Sequence, residues 1–329
     1  MKINFELKGL KEIYNLTKKE ISIVADKNIN AINAISMNKD GVTVKVELIG
    51  EILEGGNLLL PPEIVKNIKA KNADVMLSDN ELAVNNRKFK FNGTKSILSE
   101  TPVGEKIATL TIKDYEKIIN VEYALAKDNV RPIYKNVCVN NDDIVAIDGY
   151  RLAIRKNDIK FEGDNNKFLI PDTIIKLMKK IKPNNTIEIY KNKRLITIKI
   201  DNILLTDTVE EGDYLDYKSI LPKDYKIETE INSKDLEILK GYDKNNKLLK
   251  MNINREKMIL ETSNEKFTIE DEIIVNSNGE ILLGVNHNYL RDALNNYDGK
   301  VSIRFNSNVE PFYIEKNGYY DLILPMRIK

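Results

Sequence analysis

Leu58-Leu59-Leu60-Pro61-Pro62-Glu63-Ile64-Val65-Lys66 runs from an apolar strand through two prolines into a helix, and the strand Val75-Met76-Leu77 follows. The same order returns at Phe168-Leu169-Ile170-Pro171-Asp172-Thr173-Ile174-Ile175-Lys176, followed by Ile187-Glu188-Ile189. A third copy is Ile281-Leu282-Leu283-Gly284-Val285-Asn286, a helix from Tyr289 to Asn296, then Val301-Ser302-Ile303. The strands after the helix begin at 75, 187 and 301, each about a third of the 329-residue chain beyond the last. A period that long is a domain, not a solenoid unit. The expectation is α+β, with three similar domains over residues 1–104, 105–222 and 223–329.

Helix ends and strand alternation fill in each copy. Pro61-Pro62 and Pro171 suit a first helical turn, where the missing N–H has no partner to lose. Asn286 or Asn288 can cap the third helix. Each domain also opens with a helix: around Leu10, Ile13, Tyr14 and Thr17; over Lys113 to Ala126; and over Ser233 to Gly241, with Ser233 as its cap. Strands are expected at Ile29 to Met37 and Val42 to Ile49, on either side of Asn38-Lys39-Asp40-Gly41. Ser99 to Glu105, with Pro102 and Gly104, reads as the first linker.

Composition narrows the function class. Lys plus Arg number 51 against 50 for Asp plus Glu, a net charge of +1, so any contact with phosphate must come from local segregation of charge. Lys66, Lys69 and Lys71 stand off the apolar stripe of the first recurring helix. Lys176, Lys179, Lys180 and Lys182 stand off the second, and the third offers mainly Arg291 beside Asp292. Read singly, each is a solvated helix face; repetition would gather those faces. One cysteine, Cys138, excludes internal disulfides and Cys-rich zinc sites and fits a reducing cytosol. No apolar run approaches the roughly 18 residues of a membrane helix.

Catalytic chemistry finds little support. His287 is the only histidine, and it reads as a surface residue at a helix start. Cys138 lies in an apolar strand. No Walker loop or dinucleotide glycine motif occurs. The acidic run Glu210-Glu211-Gly212-Asp213-Tyr214-Leu215-Asp216 raises the alternative of a metal-dependent nuclease, against the plainer reading of a solvated loop. Asp148 beside Gly149 fits turn chemistry. No cofactor or metal is expected.

Two segments are more specific than the repeat: Ile147-Asp148-Gly149-Tyr150-Arg151-Leu152-Ala153 and Leu324-Pro325-Met326-Arg327-Ile328. With Val130-Arg131-Pro132-Ile133 and Asp216-Tyr217-Lys218-Ser219-Ile220-Leu221-Pro222, the chain resembles the bacterial DNA polymerase III beta subunit family, the sliding clamps, over essentially its whole length. The family's central motif reads Thr-Asp-Gly-His-Arg-Leu-Ala; here Ile147 and Tyr150 replace its Thr and His. The resemblance implies a head-to-tail homodimer whose six domains close a ring around duplex DNA without reading its sequence. It also implies a non-catalytic, cytoplasmic processivity factor, with the polymerase alpha subunit, a clamp-loading ATPase and other peptide-bearing proteins as partners. Carried over by motif, the partner-peptide pocket would be Arg131, Tyr134, Ile147, Gly149, Tyr150, Arg151, Leu152, Leu215, Ile220, Ile323, Leu324, Pro325, Met326, Arg327 and Ile328. The channel would present Lys66, Lys69, Lys71, Lys176, Lys179, Lys180 and Arg291. A peptide-binding adaptor that never encircles DNA is a third reading.

Overall fold

In a computed structural model the chain is described for residues 1–96 and 101–328, so residues 99 and 100 of the expected linker lie outside the described residues. The chain packs into two compact units, residues 1–115 with 159–210, and 116–158 with 211–329. The recurring strand–helix–strand forms in all three places. Its helices are α2 (Pro62–Asn67), α4 (Asp172–Met178) and α5 (His287–Leu294); α1 (Leu7–Thr17) and α3 (Ile112–Asn120) precede the first two.

In the first unit, α1 buries Leu7, Leu10, Ile13 and Leu16. It approaches the strand Thr43–Leu48 so closely that a Cβ on Gly9 would meet Leu48 Cδ2 at 2.6 Å, which is why a glycine sits there. A five-stranded antiparallel sheet runs in the order Gly50–Glu54, Lys2–Glu6, Asp74–Ser78, Glu81–Val84 and Arg87–Lys90. A second sheet carries Ile187–Asn192, Leu195–Ile200, Ile203–Thr208, Thr43–Leu48, Ala31–Met37 and Ile21–Asp26 as successive neighbours. Here the last strand of the middle copy pairs with a strand of the first, Ile203 opposite Val46 and Leu205 opposite Val44. Thr111 and Asp114 close a reciprocal cap at the start of α3, Thr111 Oγ1 donating to Asp114 Oδ2 at 2.7 Å and accepting from the Asp114 N–H at 3.1 Å.

The second unit is built on Asn136–Asn140, Asp143–Ile147, Arg151–Lys156, Tyr319–Ile323, Phe312–Lys316, Lys300–Phe305 and Ile227–Asn232, consecutive neighbours in one antiparallel sheet. A four-stranded sheet has the order Thr268–Ile274, Lys257–Ser263, Leu248–Ile253 and Ile281–Asn286. Leu236, Leu239, Leu290, Ala293 and Leu294 pack from their helices onto Leu249, Met251, Ile303, Phe305 and Phe312.

Several expectations change. The helix expected over Lys113 to Ala126 ends at Asn120 and gives way to the 3-10 turn Glu122–Ala124. Ser233–Gly241 is a 3-10 helix, and Asn232 rather than Ser233 caps it by accepting from the Lys234 N–H at 3.1 Å. The Ser233 hydroxyl instead turns inward to donate to the Tyr297 carbonyl. Asn286 caps α5 by accepting from the Asn288 N–H. His287 is 0 % exposed, not a surface residue. Its Nε2 lies 2.8 Å from the Asn246 carbonyl and 3.1 Å from that of Asp243, and its ring meets Tyr242 edge-on. The strand Ile21–Asp26 is not among the expected elements; it is buried at Ile21, Ser22, Ile23 and Ala25 and so lacks the alternation of a half-exposed strand.

One buried charge pair stands out. Arg155, 0 % exposed, lies with Nη1 3.1 Å from Asp321 Oδ2, and both residues are out of solvent. The Tyr297 hydroxyl donates to Asp321 Oδ2 at 2.6 Å, the Tyr123 hydroxyl to Oδ1, and Arg155 stacks over Tyr319 at 4.5 Å. Burial, and then the Asp321 charge, push the pKa of both tyrosines upward, so they stay protonated donors. Asp321→Asn strands Arg155 without its counter-charge and is expected to destabilise this unit by about 3 kcal/mol. Urea unfolding checks it; a change under about 1 kcal/mol would mean the pair is dispensable.

Candidate functional site

All the residues expected in the peptide pocket fall in the second unit. At its centre is the turn joining Asp143–Ile147 to Arg151–Lys156, with Ile147 opposite Leu152. Asp148 Oδ1 accepts the N–H groups of Tyr150 at 2.9 Å and Arg151 at 3.0 Å, an Asx turn that suits the expected role of Asp148. Gly149 sits at φ +93°, the left-handed region that a Cβ disfavours.

Strand register then brings the chain end to this turn. Arg151 is opposite Ile323 and Leu152 opposite Leu322. The Leu324 N–H donates to the Tyr150 carbonyl at 2.9 Å, and the Met326 N–H to the Gly284 carbonyl at 2.8 Å. A Cβ on Gly284 would lie 2.6 Å from the Met326 carbonyl oxygen, so this strand glycine makes room for the tail. From the other side, the segment from Tyr214 to Ile220 is pinned to the hairpin. Tyr214 meets Tyr134 edge-on at 5.8 Å, the Tyr217 hydroxyl donates to Asp143 Oδ2 at 2.7 Å, and Lys218 Nζ donates to Asp142 Oδ2 at 2.5 Å.

The pocket residues divide by exposure. Tyr134, Ile147, Arg151, Leu152 and Ile323 are buried, with Leu152 only 1 % exposed, so these side chains offer little open surface. Leu215, Leu324, Pro325, Met326 and Ile328 are half-buried, while Arg131, Tyr150, Ile220 and Arg327 are exposed. Tyr150 is 62 % exposed and presents its ring to solvent beside this turn. Arg131 Nη1 donates to the Tyr134 hydroxyl at 3.1 Å. Arg151 is an internal brace: Nε donates to Asp148 Oδ2 at 2.9 Å, Nη1 to Asp292 Oδ2 at 2.9 Å, and the guanidinium lies 4.2 Å from the Tyr289 ring centre. Asp292 and Tyr289 lie some 140 residues away in sequence, and no local motif points to them.

The candidate channel cations are more scattered than expected. Lys66 is exposed on α2, but that helix stops at Asn67, so Lys69 and Lys71 lie in the irregular segment after it. Lys176 pairs with Asp172 at 2.6 Å, and Lys179 and Lys180 are exposed at and just past the end of α4. Lys8 and Lys182 join Lys180 around a cavity of about 480 Å³ between α1 and the turn after α4, together with Glu12 and Asp201. Arg291 Nη2 donates to Asp292 Oδ1 at 3.2 Å and lines a cavity of about 180 Å³ with Lys234, Lys240, Glu237 and Asp298. In the acidic run, Glu210, Glu211, Asp213 and Asp216 are exposed while Tyr214 is buried. Among the described residues no group of three or more His, Cys, Asp or Glu is placed to hold a metal ion, and none of their helices is long and apolar enough to cross a membrane.

This arrangement of helices packed on antiparallel sheets is the fold of solved sliding-clamp structures. The crystal structure of the DNA polymerase sliding clamp from Bacillus subtilis superposes with a TM-score of 0.86, covering 100% of both chains at 20% identity. That of a putative DNA polymerase III beta subunit from Eubacterium rectale gives 0.86 with the same coverage at 21% identity. Residues 109–216 match the family model for the DNA polymerase III beta subunit, central domain. A Staphylococcus epidermidis protein named beta sliding clamp is 26% identical over 336 aligned positions, spanning 92% of this chain and 87% of its own. The chain is thus similar to DNA polymerase III beta subunits over most of its length, and its residues 109–216 match the central domain of that family.

The Lys218 tether makes a titration prediction. The hydrogen bond from Lys218, and then its charge, hold the Asp142 carboxyl below its ordinary 3.8. A depressed carboxylate stabilises the fold above 3.8 and loses that contribution as pH falls through its own lower value. NMR titration should place the Asp142 midpoint below 3.8, and Lys218→Met should return it to the ordinary range. An unshifted midpoint in the parent protein would remove the tether.

Proposed function

We propose that the chain is the sliding clamp of a DNA polymerase III, a non-catalytic cytoplasmic subunit made of three domains, 1–104, 105–222 and 223–329. Two copies close head to tail into a ring around duplex DNA. The ring tethers the polymerase alpha subunit and other proteins that carry a short apolar peptide, after opening by a clamp-loading ATPase. The observation that carries this reading is the convergence of the Asp148–Arg151 turn, the Tyr214–Ile220 segment and the tail from Leu324 on one partly exposed apolar surface.

Two sheet edges support the dimer. Arg87–Lys90 is the outer strand of the five-stranded sheet and reads Arg-Lys-Phe-Lys. Thr268–Ile274 is the outer strand of the four-stranded sheet and contains Glu270-Asp271-Glu272, with Ile274 71 % exposed. A basic edge and an acidic edge on one chain are complementary between copies, and such a heterologous contact closes if the rotation per copy permits.

Topology explains the charge balance. Affinity built on phosphate contacts falls by about 0.9 log units per contact for each tenfold rise in salt. An enclosing ring needs little of it, so scattered lysines on a chain of net charge +1 suit sliding. After loading on a nicked circular plasmid, the protein should stay bound through a high-salt wash and leave when the circle is linearised. Equal retention on both forms excludes encirclement.

The pocket has its own test. Removing Pro325 to Lys329 deletes the Met326 contact with Gly284 and the apolar tail, and peptide binding should fall at least tenfold, about 1.4 kcal/mol. Sedimentation should still show the dimer. Unchanged peptide affinity in the truncated protein would move the pocket elsewhere.

A further inference from the structure

Asp292 holds two arginines with its two oxygens. Oδ2 accepts from Arg151 at 2.9 Å and Oδ1 from Arg291 at 3.2 Å. Arg151 carries that contact into the pocket turn, because its Nε binds Asp148 Oδ2 and its backbone N–H binds Asp148 Oδ1. Its remaining nitrogen donates to the Tyr123 carbonyl, and Tyr289 from α5 covers its face. Arg291 carries the contact the other way, toward the cavity shared with Lys234 and Lys240. The Arg151 side chain is 4 % exposed, whereas those of Asp292 and Arg291 are 27 % and 16 % exposed. An outside anion therefore reaches Arg291 before it reaches Arg151.

We infer that Asp292 is a positioning residue that couples occupancy of Arg291 by a DNA phosphate to the order of the peptide-binding turn; this rests on the clamp reading above. A phosphate that takes Arg291 leaves the whole Asp292 carboxylate to Arg151. The brace on Asp148 tightens, the Asp148–Arg151 turn is held in one conformation, and the peptide meets a better-ordered surface. Linkage requires the converse to the same factor, so bound peptide strengthens the hold on DNA. The contacts lie within one stretch of packed side chains, with no long relay required.

The test uses the full-length protein, a fluorescein-labelled peptide bearing adjacent Leu and Phe, and a short duplex at low salt. Saturating duplex should tighten peptide binding by about fivefold, the lower end of ordinary coupling. Asp292→Asn should abolish that response and speed hydrogen exchange at the Tyr150 and Arg151 amides. Asp298→Asn, which alters the same cavity at the carboxylate that faces Lys234, should keep the response. Persistence of the response in Asp292→Asn, its equal loss in Asp298→Asn, or unchanged exchange at Tyr150 and Arg151 each overturns the coupling. Parent protein that binds no peptide defeats the clamp reading instead, and the exchange measurement still decides whether Asp292 orders the turn.

Discussion

Arg155 and Asp321 are both out of solvent, and the elements of the second unit that meet at this pair are organised around it. Removing two charges from water costs several kcal/mol per ion, and the attraction between them offsets this only when the remaining hydrogen-bond capacity is filled. Tyr123, from the 3-10 turn Glu122–Ala124, and Tyr297, just past α5, fill it on the carboxylate side. Four separate elements thus meet at one carboxylate. The pair also locks the register of Arg151–Lys156 against Tyr319–Ile323, where a slip of one residue would exchange buried and exposed faces. The same register sets Arg151 opposite Ile323 and delivers Leu324 to the Tyr150 carbonyl. The meeting of turn and tail at the candidate pocket thus depends on a buried ion pair four residues away along the strand.

The first unit solves a like register problem with apolar chemistry. Where Ile203–Thr208 joins Thr43–Leu48, Val44, Val46, Ile203 and Leu205 are buried. Alternation alone penalises a slip there, because it would turn those side chains toward water. Burying one such side chain contributes about 1.5–3 kcal/mol, with no desolvation of charge to offset. The charged solution occurs where a turn and a tail must be aimed. Leu152 and Leu322 alone could pair in more than one lateral setting, whereas Arg155 has one counter-ion and two tyrosines to reach.

The repeat was legible because strand, proline and helix stripe are local signals, and the clamp motifs were legible because a turn such as Asp148-Gly149 is set by adjacent residues. Residues whose role depends on distant partners were not. Arg151 lies in a recognisable motif and is expected among the pocket residues, yet Asp292 and Tyr289 draw it inward. His287 follows a capping asparagine and reads as exposed, yet carbonyls from the loop at Asp243 and Asn246 enclose it. Lys69 and Lys71 continue a helical pattern that the chain abandons at Ile68, whose backbone is extended. Gly284 carried a usable signal, since a glycine inside an apolar strand marks the close approach of another backbone.

The cations also differ in how ready they are to meet DNA. An exposed pair such as Lys176 with Asp172 is worth at most about 1 kcal/mol, so exchanging its carboxylate for a phosphate changes the energy little. Such lysines, on flexible stems, give contacts that form and break as a duplex passes. Arg291 is different: it is mostly covered, its guanidinium is already oriented by Asp292, and a planar donor loses less freedom on binding phosphate than a lysine does. A set of weak exchangeable lysines with one oriented arginine gives the proposed ring a smooth path and one place where passing phosphate is felt. That place shares a carboxylate with the turn proposed to receive the partner, so a charge too small to anchor DNA is still well placed to report it.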